Sequence, residues 1–474
     1  MGFIQKFGLW TEQQQQAARD VLARAEELRS VRVSFVDQHG LLRGKTIPAS
    51  GLAAVFSSGM TCVSTLLSKD TSGTTVFKAF NADGGLGVAA MAGAADIVMV
   101  PDPTTFHSIP WTDGTARILC DLRFQNGEQV PFCSRGVFRT VVDRARAAGF
   151  GYQTGIEIEF HLYRRADHAP NADGIGKCTY PTPVEPINQG NQLLSEDRGD
   201  EVEPVAQRIS EVLERMGIQL RSIEVEYGAN QLEVTLDPAE GLRSADAVVI
   251  LRSTIKQVAR RHGYHATFMC RPKITDSKSS GWHLHQSLVG DSGNAFVPED
   301  GDGPISTVGR QFIAGQLAHA KAACVFANPT INGYKRFQPY SMAPDRIAWA
   351  RDNRGAMIRL VGSAEEGTTH IENRVGESAA NPYLYMASQL HSGLLGIDAG
   401  LPLPASADDP YTTEAARLPV NLREAVDALE ADTVFAKAMG VQFVAYYAAI
   451  KRAEIARFER TVTDWEHHEY FDLY

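Results

Sequence analysis

Four short stretches of this sequence carry Glu and His at alternate positions. In "GIEIEFHLY", Gly155 to Tyr163, strand alternation puts Glu157, Glu159 and His161 on one face and Ile156, Ile158 and Phe160 on the other. "NQLEVTL" does the same with Gln231, Glu233 and Thr235, and Glu226 lies just upstream in "EYGAN". In "GWHLHQSL", His283, His285 and Ser287 oppose Trp282, Leu284 and Leu288; in "THIENRVGE", His370, Glu372 and Arg374 share a face. A single such strand is explained by a solvated side. Four of them, poor in balancing Lys, fit better as the lining of one concavity, where cations relieve the repulsion between carboxylates. Ligands that are mostly carboxylate with one imidazole suit Mg²⁺ or Mn²⁺ better than zinc or copper. Arg336 in "NPTINGYKRF" and Arg354 and Arg359 in "RDNRGAMIRL" add guanidinium groups of the kind that phosphoryl transfer needs.

These residues need a scaffold, and the chain supplies its signals in order. Thr11 with Gln14 three residues on makes a capping box for a helix over Thr11 to Leu28. "VRVSFVDQHGLLRGKTIP" reads as a hairpin turning at His39-Gly40, Gly84 to Ala94 as a loop, and "DIVMVP" as a short strand. A small β-rich N-terminal domain is expected to end near Thr115, giving domains 1–115 and 116–474. Beyond it, helical segments ("SRGVFRTVVDRARAAG", "VAQRISEVLERMG", "SADAVVILRSTIKQVARRHG") alternate with strand-like runs, an α+β or α/β pattern. Arg164 to Pro204 reads as a long loop with a functional role.

Composition excludes several classes. The chain has 474 residues and a net charge of −10, with no Lys/Arg block, which argues against a nucleic-acid footprint. No run is long enough to span a membrane, and the N-terminus lacks the apolar core of a signal peptide. Six scattered cysteines without a CxxC pair read as reduced thiols, so a cytoplasmic protein is expected. There is no Walker motif and no strand-linked GxGxxG.

"GIEIEFHLY", "EYGANQLEVTL", "TFMCRPKITDSKSSGWHLHQSL", "NPTINGYKRF", "APDRIAWARDNRGAMIRL" and "IENRVGESAANPYLYMASQLHSGLLGI" together resemble, in order, the motif set of the glutamine synthetase superfamily. The hairpin, "ADIVMVPDPTT" and "LREAVDALEADTVFAKAMG" extend the resemblance over nearly the whole chain. It implies an α+β fold: an N-terminal β-grasp domain and a catalytic domain whose curved antiparallel sheet forms a funnel flanked by helices. Carried over by motif, Glu159, Glu226 and Glu233 would hold one metal, and Glu157, His283 and Glu372 the other, with two or three Mg²⁺ or Mn²⁺ ions per site. His285 and Ser287 would help bind ATP, and Arg354 and Arg359 would stabilise phosphate. Arg336 and Arg374 would grip glutamate, with Ser279, Gly281 and His283 beside it. The resemblance further implies activation of the glutamate γ-carboxylate by ATP, then attack by a nitrogen nucleophile. It also implies a homo-oligomer, commonly two stacked hexameric rings, with active sites between subunits.

The sequence departs from ammonia-using members at the ammonium site. Their "PGYEAP" is "PYSMAP" here, with Met342 at the Glu position. Their "DGSS" is absent, leaving Asp70 as a loose substitute, and "NGSGMH" reads "KSSGWH", with Trp282 replacing Met. Ammonium must be attracted and deprotonated, which needs a carboxylate; a thioether makes the pocket apolar. A glutamate–amine ligase for an aryl or alkyl amine, with Met342 and Trp282 beside the amine entrance, is therefore the expected activity. An ammonia-using synthetase, a polyamine or ethanolamine ligase, and a non-catalytic relative stand as alternatives. Tyr411 matches the position adenylylated in bacterial enzymes, but its flanking residues diverge, so modification there is not expected.

Overall fold

The computed structural model describes residues 1–166, 181–275, 277–298 and 303–474. The N-terminal hairpin forms as expected, from β1 (Ser30–Val36) and β2 (Leu42–Pro48), with the turn closed by Gly40 at a φ of 75°. Its sheet gains β3 (Met60–Val63), β4 (Asp96–Pro101), β5 (His107–Ser108) and β6 (Thr115–Arg123) in the order β2-β1-β6-β4-β3, with β5 on β6. β1 and β6 run parallel at its centre. The boundary expected near Thr115 therefore falls one strand early: β6 pairs with β1 and β4, so this sheet runs on to Arg123. The capping box at Thr11 and Gln14 starts the helix Glu12–Ala23.

The second sheet has ten strands: β7 (Gly151–Arg165), β8 (Val184–Glu185), β9 (Leu220–Val225), β10 (Gln231–Glu240), β11 (Tyr264–Thr267), β12 (Gly281–Gly290), β13 (Gly293–Asn294), β14 (Trp349–Arg351), β15 (Ile358–Val361) and β16 (His370–Glu377). The main path is β14-β15-β16-β12-β7-β10-β9, antiparallel except for the parallel edge pair β14 and β15. The apolar faces of its central strands are the core. Ile156, Ile158, Phe160, Leu232, Val234 and Leu284 are buried, as are residues of the helices Leu242–Arg261 and Pro382–Asp398. At roughly 1.5–3 kcal/mol per buried large apolar side chain, this layer holds the polar face in one register, because a one-residue slip would turn every side chain over.

Two sequence expectations change. The helix begun at Val205 starts at Glu196, capped by the Ser195 hydroxyl, and runs through Pro204 to Arg215. The long loop expected over 164–204 is shorter accordingly, and its residues 167–180 lie outside the described residues. No single helix among the described residues is long and apolar enough to cross a membrane.

Candidate active site

Strand register assembles the site. On β7, Glu157 pairs across to His283 of β12, and Glu159 to Glu233 of β10. One step along, His285 of β12 pairs with Glu372 of β16, which in turn pairs with Arg359 of β15. Five strands, β7, β10, β12, β15 and β16, thus present one polar surface.

His283 sits at its centre. Its Nδ1 lies 3.3 Å from Glu157, 3.6 Å from Glu372 and 4.0 Å from Glu233. Two groups of ligand atoms converge within 4.8 Å: Glu157, His283 and Glu372; and Glu159, Glu233 and His283. The first is the set expected from the sequence. The second shares His283 where Glu226 was expected. Glu226 lies outside both groups, its carboxylate accepting from the Tyr227 amide at 3.0 Å, yet its charge adds to the burial that raises the pKa of Glu159.

Electrostatics identify what the cluster lacks. Burial, then the neighbouring Glu226, pushes Glu159 up to about 8. Burial, then Glu159 and Glu157, pushes Glu233 up to about 10. Burial opposes ionisation of Glu157 too, but hydrogen bonds with His283 and His285 outweigh it and hold its carboxyl well below the usual range. Burial, with Arg374 nearby, lowers His283 to about 4, so its imidazole is neutral and has a lone pair to give. Glu159 and Glu233, whose ionisation a nearby cation would favour, beside an ionised Glu157 and a neutral imidazole, fit hard divalent ions.

The arginines ring this cluster. Arg336 is buried, donates to the carbonyls of Arg374 (2.9 Å) and Val375 (3.2 Å), and reaches within 3.5 Å of His283 Nε2. Gly281 gives it passage, since a Cβ there would lie 2.6 Å from the Arg336 Nη2. The role the structure gives Gly281 is thus to make room for an arginine. Arg374 bonds Glu372, the Arg354 carbonyl and, at 3.3 Å, the Met342 carbonyl. Arg359 donates to Glu372 at 3.2 Å and to Asp352. The Arg354 side chain is exposed at the rim. His285 Nε2 lies 3.0 Å from Glu157, and its Nδ1 lies 3.0 Å from the ring of His370. Ser287 lies two residues along the same face of β12, and Ser279 is half-buried in the loop before that strand.

Two expectations about the amine pocket are overturned. Trp282 has no exposed surface; it points to the apolar side of the sheet and packs edge-on against Tyr385 at 5.1 Å. Alternation already places it opposite His283, and the strand obeys alternation rather than the motif. Asp70 is not a free base either. Its carboxylate accepts from the Ser72 and Thr74 amides and from Arg457 at 3.2 Å, closing a loop.

Met342 is 58% exposed at the mouth. Both it and Tyr340 sit in the left-handed region, at φ of 60° and 59°, so this loop is held against its local preference. Tyr411 holds it: its ring packs on Tyr340 at 4.9 Å and its hydroxyl donates to the Ala343 carbonyl at 3.2 Å. Tyr340 and Asp352 were not anticipated from the sequence, and Tyr411 was raised there only as a modification position. Gln231, placed by alternation on the polar face of β10 but given no role, donates to Glu159 at 2.6 Å.

Residues 131–470 match the glutamine synthetase catalytic domain. The chain belongs to the glutamine synthetase family. It is 41% identical to the gamma-glutamylanilide synthase of Acinetobacter sp., over 100% of this chain and 99% of that protein. It is 33% identical to a gamma-glutamylethanolamide synthetase of Streptomyces coelicolor, over 94% of this chain and 93% of the other. The ligand-free structure of GmaS superposes with a TM-score of 0.80 at 29% identity, covering 96% of this chain and 99% of that one.

Proposed function

We propose that this chain is an ATP-dependent carbon–nitrogen ligase joining the γ-carboxylate of glutamate to an amine with an apolar, aryl or alkyl, body. The observation that carries it is the pairing of two ligand groups sharing His283 with a mouth built from Met342, Tyr340 and Tyr411 in place of an acid. Similarity to a gamma-glutamylanilide synthase over the whole chain supports the same reading.

Glu157, His283 and Glu372 would hold one divalent ion, and Glu159, Glu233 and Glu226 another. Bound Mg²⁺ or Mn²⁺ would neutralise phosphate oxygens and polarise phosphorus. Arg336 and Arg374 would hold glutamate so that its γ-carboxylate oxygen faces the γ-phosphorus of ATP, with Ser279 at the rim of that pocket. His285 and Ser287 lie where they would orient ATP. As oxygen bonds to phosphorus and ADP leaves, Arg354 and Arg359 would stabilise charge on the transferring oxygens. The amine nitrogen then attacks the γ-carboxyl carbon of γ-glutamyl phosphate, phosphate departs, and the nitrogen gives up one proton. An aryl amine is neutral at pH 7 and needs no carboxylate to strip a proton before attack. The rings of Tyr340 and Tyr411 would offer it an edge or a face.

The parallel pair at the centre of the N-terminal sheet supports the β-grasp reading, and family membership supports rings of six, stacked in pairs, with each site closed by a neighbour's N-terminal sheet. Light scattering that finds an active monomer would overturn the ring. For the activity itself, kcat/KM is measured for ammonium, methylamine, isopropylamine, ethanolamine, putrescine and aniline with ATP and glutamate, by phosphate release and product mass. Aniline or isopropylamine is expected to lead. Ammonium or putrescine ahead by more than about tenfold, roughly 1.4 kcal/mol of transition-state preference, overturns the reading.

A further inference from the structure

A cavity of about 900 Å³ lies between the N-terminal sheet and the helix Leu242–Arg261, and none of the carboxylates of the catalytic cluster lines it. Among the described residues nine Lys and Arg side chains do, and no Asp or Glu, in a chain whose net charge is −10. We propose that this cavity binds a small multivalent anion carrying phosphate or carboxylate groups, at a site separate from the catalytic one.

Its floor is built by strand register. β1 and β6 run parallel with Arg32 directly beside Arg117, so two guanidinium groups share one face of the sheet with no acid between them. Arg32 is steadied by Gln257 of the facing helix at 3.1 Å. Arg117 is only 2% exposed, and its Nε and Nη1 have no hydrogen-bond partner. Burial, then the charge of Arg32, lowers its pKa to about 10. A buried cation with unmet donors is destabilising unless something meets it.

The opposite wall repeats the pattern. Arg252, Lys256 and Arg260 recur at helical spacing along the face of Leu242–Arg261 that lines the cavity. Burial and the charges of Arg252 and Arg260 lower the Lys256 pKa. Other cations at this cavity are already satisfied: Arg43 by Asp37 at 2.8 Å, Lys451 by Glu454 at 3.1 Å, and Arg252 by main-chain carbonyls. Arg117, Lys256 and Arg260 have no such acid among the described residues. Water could fill the donors of Arg117 but would not neutralise converging charges, whereas a phosphate or polycarboxylate does both. The volume suits a small metabolite, and Tyr264 and Phe268 on the third wall can receive its apolar part.

The test uses the assembled full-length protein in EDTA, at constant ionic strength, so that metal-dependent binding at the carboxylates is removed. Titration calorimetry is run with inorganic pyrophosphate and, separately, with tricarballylate, which tells a phosphate site from a carboxylate one. At least one probe is expected to bind one per chain with a Kd below about 1 mM. Lys256 and Arg260 line the cavity but still reach solvent, so the K256Q/R260Q double variant should fold as the wild type does, and it should bind roughly tenfold more weakly or worse. Arg117→Gln should weaken binding at least as much. The proposal is overturned if neither probe binds the wild type below about 10 mM, or if the double variant binds as tightly as the wild type.

Discussion

Two clusters of buried charge can be compared directly, one around Arg135 and one around His283. Arg135 is 3% exposed and donates to Asp102, Asp121 and Asp246 at 2.9–3.0 Å, while Arg139 adds a 2.7 Å bond to Asp121 and Tyr383 one to Asp246. Burial alone would raise the Asp102 carboxyl, but Arg135 brings it down to about 2. Around His283 the carboxylates outnumber their donors. The partner of Glu233 within ion-pair range among the described residues is the His283 ring at 4.0 Å, and its carboxyl is driven up rather than down. Both clusters are buried and dense in charge. The first is complete within the chain and ties the N-terminal sheet to three helices, Ser134–Ala147, Leu242–Arg261 and Pro382–Asp398; the second is complete only with something bound. Self-sufficiency separates scaffold from site.

The largest effects should come from breaking the second cluster. Glu157→Ala or His283→Ala should lower kcat/KM by roughly 10⁴-fold or more, about 5.5 kcal/mol, with little change in the thermal midpoint. Wild-type turnover undiminished by EDTA would contradict the divalent-ion reading of this cluster. Arg135→Ala should do the reverse. It strands Asp102 and Asp246 without a counter-charge, so a loss of about 3–5 kcal/mol in denaturant unfolding is expected. A midpoint within error of the wild type would show that the network is not what joins the N-terminal sheet to those helices.

The sign of the pH dependence sharpens the contrast. Glu159 and Glu233 have folded pKa values raised to about 8 and about 10, above the ordinary value of 4.5. Their contribution to stability is therefore fully present below about 4.5 and is lost as pH rises through the folded values, because the unfolded chain has already released those protons. In EDTA, stability should fall by roughly 2 kcal/mol between pH 7 and pH 8. Mn²⁺ should remove that slope, since bound ions favour the ionised forms. Asp102 has the opposite sign, its depressed pKa giving stability above the unfolded value that is lost only in acid, toward pH 2. A metal-free protein as stable at pH 8 as at pH 7 would contradict the unbalanced cluster.

Much of this was legible in the sequence because strand alternation is local. The residues of the polar faces at 157–161, 231–235, 283–287 and 370–374 were named from spacing alone, and the register then set them side by side. What escaped depended on contacts across long stretches of chain. Tyr340 meets Tyr411 across 71 residues of sequence, as the difference of their numbers shows, and Asp70 meets Arg457 at a separation of 387. The cation-lined cavity draws on positions from Arg32 to Lys451, no run of which looks basic. Trp282 differs for another reason: the motif sets it beside the amine entrance, but the side of the strand it occupies faces the core. The boundary near Thr115 failed because β6 pairs with β1, some 85 residues earlier at Ser30↔Thr115.

The smallest expected effect lies at the rim, where one charge can be added to the unbalanced cluster. Met342 is exposed, and its carbonyl is what Arg374 holds, so Met342→Glu keeps the main-chain contact and the loop. The new carboxylate would stand near Arg374 and the Tyr340–Tyr411 pair, on the side proposed for amine entry. It would attract ammonium and accept its proton, and it would cost an apolar amine part of its contact. The ratio of kcat/KM for ammonium over aniline should rise by about tenfold, roughly 1.4 kcal/mol, while KM for ATP stays unchanged because the phosphate-side residues are untouched. Met342→Leu is the control, changing the side chain but not its polarity, and should leave the ratio where it was. If Met342→Glu and Met342→Leu give the same ratio, the thioether is packing only, and the group that takes the proton from the amine stands elsewhere in the mouth.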